Sequence, residues 1–66
     1  MNIHINGQAR DIADDLNVSG LLAELGMADK RVAVERNGEL VPKSLHAEQT
    51  LTEGDRIEIV QAIGGG

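Results

Sequence analysis

Cysteine, phenylalanine, tryptophan and tyrosine are all absent from the 66-residue chain. Without cysteine there is no disulfide staple, no thiolate nucleophile and no cysteine-ligated zinc site, and nothing points to an oxidising compartment. Without aromatics there is no platform on which nucleic-acid bases could stack. Cationic side chains are also scarce: 6 Lys+Arg stand against 11 Asp+Glu, a formal charge of -5. The basic stripe of a nucleic-acid binder is therefore missing, and a basic protein partner is the more natural expectation. No run approaches the roughly 18 apolar residues of a membrane span, and the start, Met1-Asn2-Ile3-His4-Ile5-Asn6, has no cationic segment leading into an apolar one. The chain is expected to be cytoplasmic and monomeric on its own, with neither a membrane nor a nucleic acid as partner.

What remains is aliphatic. Leu, Ile and Val number 7, 6 and 5, about 27% of the chain, above the level of roughly 20% that marks disordered composition. One small domain follows, with a core one layer thick and no depth for a walled active-site cavity.

Ile3 and Ile5 alternate with polar neighbours and run into Asn6-Gly7, the dipeptide favoured where both turn residues need positive φ. A strand from Asn2 to Asn6 and a weaker edge strand from Gln8 to Ala13 are expected. Val18, Leu21, Leu22 and Leu25 stand at i, i+3, i+4 and i+7, one face of a helix. Asn17 is its N-cap and Gly26 its C′ residue, with Leu16 and Leu21 placed as a hydrophobic staple. Gly20 stands inside that helix at an expected cost of about 1 kcal/mol relative to Ala, with no reason visible in the sequence. Val32 and Val34 begin a third strand, Asn37-Gly38 turns it, and Leu40-Val41 is a short return ended by Pro42. Met27 reads as gap-filling core. Ile57 and Ile59 alternate in a last strand expected to run from Arg56 to Ile63.

One short helix can cover one face of a small mixed sheet, so the class is α+β. Within it, the ubiquitin-like β-grasp roll has this order of elements, with the first and last strands as parallel central neighbours. The β-grasp domain is expected over residues 1–63, with Gly64, Gly65 and Gly66 as a flexible C-terminal tail.

Candidate sites are few. His4 and His46 are far apart and need carboxylates brought in by the fold to hold a metal, so no metal site is expected. Asp11, Asp14 and Asp15 lie near the helix start, where a solvated or capping role is the default. Ala33, Val60 and Ala62 share the parity that points away from the helix. With Ile63 they form the candidate partner surface, although strand filler is the simpler reading of each alone. The three terminal glycines have nothing to bury and much entropy to lose. They read either as a chain end without a role or as a leash, free of side chains, that threads a narrow channel and presents the Gly66 carboxylate.

The chain resembles the ThiS sulfur carriers of thiamine thiazole biosynthesis, which are ubiquitin-like β-grasp proteins. The resemblance rests on Ile3 to Gly7, on Val18-x-x-Leu21-Leu22-x-x-Leu25, on Val32 to Ser44 with its Asn37-Gly38 and Val41-Pro42, on Gly54 to Val60, and on the terminal glycines. It implies a carrier rather than an enzyme, with no catalytic side chain and no cofactor of its own. MgATP and persulfide sulfur would be supplied through partner enzymes. An adenylating enzyme of the ThiF type would activate the carboxylate of Gly66, a persulfide protein would supply sulfur to form a thiocarboxylate, and the thiazole synthase ThiG would take that sulfur. Gly64 and Gly65 would be the leash. Two alternatives on the same fold are the small subunit of a molybdopterin synthase and a ubiquitin-like protein modifier.

Overall fold

The computed structural model describes residues 1–61. Five strands form one mixed sheet: β1 (Asn2–Ile5), β2 (Gln8–Asp11), β3 (Val32–Arg36), β4 (Glu39–Val41) and β5 (Arg56–Gln61). A single helix, α1 (Val18–Glu24), lies between β2 and β3 in sequence, and one turn of 3₁₀ helix (Lys43–Leu45) follows β4. The sheet order is β2-β1-β5-β3-β4. β1 and β5 are parallel, with Ile5 opposite Ile57, while β1–β2, β3–β4 and β3–β5 are antiparallel. This is the β-grasp arrangement expected from the sequence, with the last strand in the middle of the sheet.

The side-chain period of 2 sends Ile3, Val34, Ile57 and Ile59 to one face, where α1 contributes Val18, Leu21 and Leu22. Ile12, Val41 and Leu51 complete a wholly aliphatic core, against which Leu16, Leu25 and Met27 pack. Each such buried side chain contributes on the order of 1.5–3 kcal/mol relative to exposure. In so small a domain the loss of any one of them is a large fraction of the total.

Helix α1 has only 7 residues, too short to persist alone, and its ends are satisfied from outside. The Asn17 side chain accepts a hydrogen bond from Gly20 N at 2.7 Å. Val18 N donates to Gln49 O at 3.0 Å and Ser19 N to His46 O at 3.0 Å. All three amides that lack a partner within the first turn therefore have one, two of them supplied by the connector after the 3₁₀ turn. At the other end Met27 N donates to Leu22 O (2.8 Å) and Gly26 N to Ala23 O (3.1 Å), with Gly26 at φ 73°. That pair of bonds is a Schellman motif, and its left-handed residue is why glycine stands there.

Gly20 now has a physical account. A Cβ at this position would lie 2.7 Å from Leu16 Cδ1 and 3.3 Å from Asn17 Oδ1. The staple residue folds back over the first turn and covers the glycine, so the helix gives up intrinsic propensity for the contact of Leu16 with the core.

The expected end of the second strand shifts. The second strand was expected to reach Ala13 but ends at Asp11. Its partner β1 begins at Asn2, Ile12 is buried in the core, and Ala13 O already accepts Leu16 N in a turn at 3.3 Å. The last strand is described to Gln61, so its expected extension through Ala62 and Ile63 lies outside the described residues.

Gly20→Ala should leave stability unchanged to within about 0.5 kcal/mol, because the methyl displaces Leu16. In a Leu16→Ala background the same change should add most of the roughly 1 kcal/mol that separates Ala from Gly in a helix. Thermal or urea melts of the four proteins measure the coupling, and a full gain from Gly20→Ala alone would show that the staple does not constrain this position.

Candidate functional site

The sequence places the candidate chemistry at the C-terminal end, so the geometry that matters is how β5 is held. On the β1 side, His4 N donates to Asp55 O (2.9 Å) and Asn6 N to Ile57 O (2.9 Å). Two residues further along β5, the backbone of Asn6 has turned away at φ 49°. Its side-chain amide takes over: Oδ1 accepts Ile59 N at 2.8 Å and Nδ2 donates to Ile59 O at 3.3 Å. A carboxamide presents one acceptor and one donor in a plane, as a peptide does, so it extends the parallel ladder by one rung.

The second Asn-Gly turn does the same on the β3 side. Asn37, at φ 52°, donates its N–H to Arg56 O (2.8 Å) and accepts Arg56 N on Oδ1 (2.9 Å). Its Nδ2 donates to Asp55 Oδ1 at 3.0 Å. Asp55 is 5% exposed. Its other oxygen, Oδ2, accepts Arg36 Nε at 2.7 Å and Thr52 N at 2.8 Å. Burial, the largest single influence, pushes the carboxyl up, but the bonds from Arg36, Asn37 and Thr52 together with the Arg36 charge hold it below its ordinary value.

The far face of the sheet carries the candidate partner surface. Ala33 and Val60 are direct cross-strand partners, and both are exposed, Val60 at 65%. Leu40, 63% exposed, lies on the same face opposite Glu35, and Glu35 in turn stands opposite Glu58. Two carboxylates directly opposite each other cost stability, and among the described residues neither has a cation within salt-bridge distance. The sequence reading missed Leu40, whose alternation with Val41 in a three-residue strand was the available signal. Ala62, Ile63, Gly64, Gly65 and Gly66 lie outside the described residues.

The histidines do not converge. His4 is exposed on β1, whereas His46 is buried and its Nε2 donates to Val41 O at 3.0 Å. Among the described residues no group of three His, Asp or Glu side chains could hold a metal ion, and no helix is long and apolar enough to cross a membrane.

Because Asp55 ionises below the ordinary carboxylate value of about 3.9, its contribution is complete above that pH and is lost as the pH falls through its folded pKa. Acid unfolding should therefore steepen below about pH 4. Asp55→Asn should flatten that limb while costing about 3 kcal/mol at neutral pH, the lower end for breaking a buried pair, since Arg36 keeps some solvent. Urea midpoints across a pH series check both, and an unchanged acid limb would remove Asp55 as its cause.

The profile of the ThiS family matches residues 3–66. A thiazole synthase of Paramagnetospirillum magneticum (strain ATCC 700264 / AMB-1) is 48% identical over 66 residues, covering all of this chain and 20% of that protein. The sulfur carrier protein ThiS of Escherichia coli (strain K12) is 33% identical over 66 residues, covering both chains entirely. The crystal structure of the thiamine biosynthesis protein ThiS from Geobacter metallireducens superimposes with a TM-score of 0.86 at 36% identity, covering 100% of each chain. The chain spans about a fifth of the length of the thiazole synthases it matches, and it matches the ThiS proteins of Escherichia coli and Geobacter metallireducens end to end. With the profile running from Ile3 through the terminal glycines and the same fold in a relative of equal extent, the chain belongs to the ThiS family.

Proposed function

We propose that this chain is a sulfur carrier that works through the α-carboxylate of Gly66, delivering sulfur for thiazole formation in thiamine biosynthesis. The observation that carries the reading is the end-to-end match to small ThiS carriers, terminal glycines included. The relatives named thiazole synthase favour this branch over a molybdopterin synthase subunit or a protein modifier.

The chemistry explains why such a protein needs helpers. A carboxylate carbon is electron-rich and oxide does not leave, so sulfur cannot displace oxygen directly. Attack of the Gly66 carboxylate on the α-phosphorus of MgATP, in an adenylating enzyme of the ThiF type, releases pyrophosphate and gives an acyl adenylate. The outer sulfur of a persulfide protein then attacks the acyl carbon and AMP leaves. A second thiol cleaves the resulting acyl disulfide, releasing the thiocarboxylate and leaving a disulfide on the donor side. Thiazole synthase, ThiG, takes the sulfur and returns the carboxylate. This chain has no cysteine, so both thiols belong to partners. Gly64 and Gly65 serve as the leash, with no Cβ to obstruct a narrow channel. Ala33 and Val60, joined by Leu40, are the apolar surface that a partner covers while the tail is inserted, and Ala62 and Ile63, next in sequence, are its proposed extension. Fold and chemistry are thereby separable, and no side chain of the chain is a catalyst.

Amidation of Gly66 should leave the melting curve unchanged and abolish conversion, because no acid remains to be adenylated. Gly65→Val should also abolish conversion, through a β-branched side chain that stiffens and fills the leash. Intact-protein mass spectrometry after incubation with the adenylating enzyme, MgATP and a persulfide donor should show exchange of one oxygen for sulfur in the parent chain alone. Conversion of the amidated chain would place the modified group elsewhere.

A further inference from the structure

The chain carries 6 Lys+Arg in all, and three of them, Lys30, Arg31 and Lys43, line one open groove of about 550 Å³. No aspartate or glutamate lines it. Among the described residues none of the three cations has a carboxylate within salt-bridge distance. In a chain of net charge -5 this is a segregation of charge. On the sheet face Glu35 and Glu58 stand side by side, with Arg56 beside them.

The groove has an apolar floor of Leu22, Ala28, Val32 and Ala33. Among its other polar liners, the Ser19 N–H donates to His46 O and His46 Nε2 to Val41 O, so neither of these donors is aimed into the groove. A site for a small phosphate would gather preorganised N–H donors around the anion. Here the charge sits on long, exposed side chains around an apolar floor, which suits an aliphatic side chain flanked by carboxylates. The position also matters. Val32 and Ala33 are the β3 partners of Gln61 and Val60, so the groove opens at the end of the sheet from which the chain continues to Gly66, and Ala33 joins it to the exposed face of Val60.

We propose that this groove docks an acidic segment of the enzyme that takes sulfur from the tail, the thiazole synthase. One aliphatic side chain of that segment rests on Leu22, Ala28 and Val32, and its carboxylates meet Lys30, Arg31 and Lys43. The proposal rests on the carrier reading above. It adds a cationic second contact, beside the apolar sheet face, that fixes the orientation of the carrier on that enzyme. Cations placed around an apolar contact act on encounter rate and register, both weakened by salt.

The test compares the parent chain with the triple variant Lys30→Gln, Arg31→Gln and Lys43→Gln for binding to the purified thiazole synthase of the same organism, across a salt series. The triple variant should bind about tenfold more weakly at low salt and show a flatter salt dependence, with its melting curve unchanged. Amide shifts on complex formation should include Lys30 to Ala33 and Lys43. The double variant Glu35→Gln and Glu58→Gln, tested alongside, should not reproduce the loss. Equal affinity and equal salt slope for parent and triple variant would overturn the proposal, as would absence of binding. Saturation of the same amides by millimolar inorganic phosphate, with displacement of the enzyme, would also overturn it by showing a small-anion site. Conversion of Gly66 by the adenylating enzyme, followed by mass, reports the carrier reading independently, so failure of the groove and failure of the carrier are told apart.

Discussion

The insertion of β5 between β1 and β3 organises the whole sheet. The last strand in sequence is the middle one of five, and until it is in place neither hairpin has a sheet to join. It brings Ile57 and Ile59 into the core and leaves its polar groups to be paired on two sides. The two Asn-Gly turns do this by related devices, each with a left-handed asparagine: the Asn6 carboxamide bonds both Ile59 N and Ile59 O, whereas Asn37 accepts Arg56 N on its side chain and donates to Arg56 O from its backbone. Asp55 fixes the entry to the strand by gathering Arg36, Asn37 and Thr52 around one buried carboxylate. Its contribution lies as much in register as in energy, since its desolvation offsets much of the attraction.

This architecture suits a carrier. A tail that grows from an edge strand could peel that strand away when a partner pulls on it. Here the tail continues from the central strand, whose pairing with β3 runs to Gln61, so a load on the C-terminus meets bonds on both neighbours. On the carrier reading the fold serves as a handle, and the group proposed to react needs nothing from it except position. The sheet face with Val60 and Leu40 and the cationic groove beside Ala33 are, on the same reading, two chemically different contacts proposed for an enzyme near the end of β5.

Much of this was legible from the amino-acid sequence because short-period patterns report local geometry. Alternation around Ile3, Val34 and Ile57 marked the strands, the spacing of Val18, Leu21, Leu22 and Leu25 marked the helix, and Asn17 and Gly26 marked its ends. Parallel pairing of the first and last strands followed from the order of elements. The second role of Asn6 and Asn37 was not legible, since a turn already explains an Asn-Gly pair and the partners Ile59 and Arg56 are brought close only by the fold. Gly20 was opaque for the same reason, its cause being the side chain of Leu16 lying over it. Lys30, Arg31 and Lys43 are scattered on either side of a hairpin, and their convergence is a tertiary fact hidden beneath a negative net charge. The end of the second strand was not legible, because an apolar Ile12 reads the same within a ladder as at its end, where the side chain enters the core while Ile12 N still bonds Met1 O.

The middle strand, tied by side-chain amides on both flanks, is expected to be as stable as the molecule itself. Native-state hydrogen exchange at the amide of Ile59, which donates to Asn6 Oδ1 at 2.8 Å, tests it most directly. This amide should exchange only through global unfolding, with the same denaturant dependence as the buried core, and Asn6→Ala should lower its protection. Exchange of Ile59 through a local opening, at a free energy well below that of unfolding, would contradict this expectation and leave the root of the tail without its anchor.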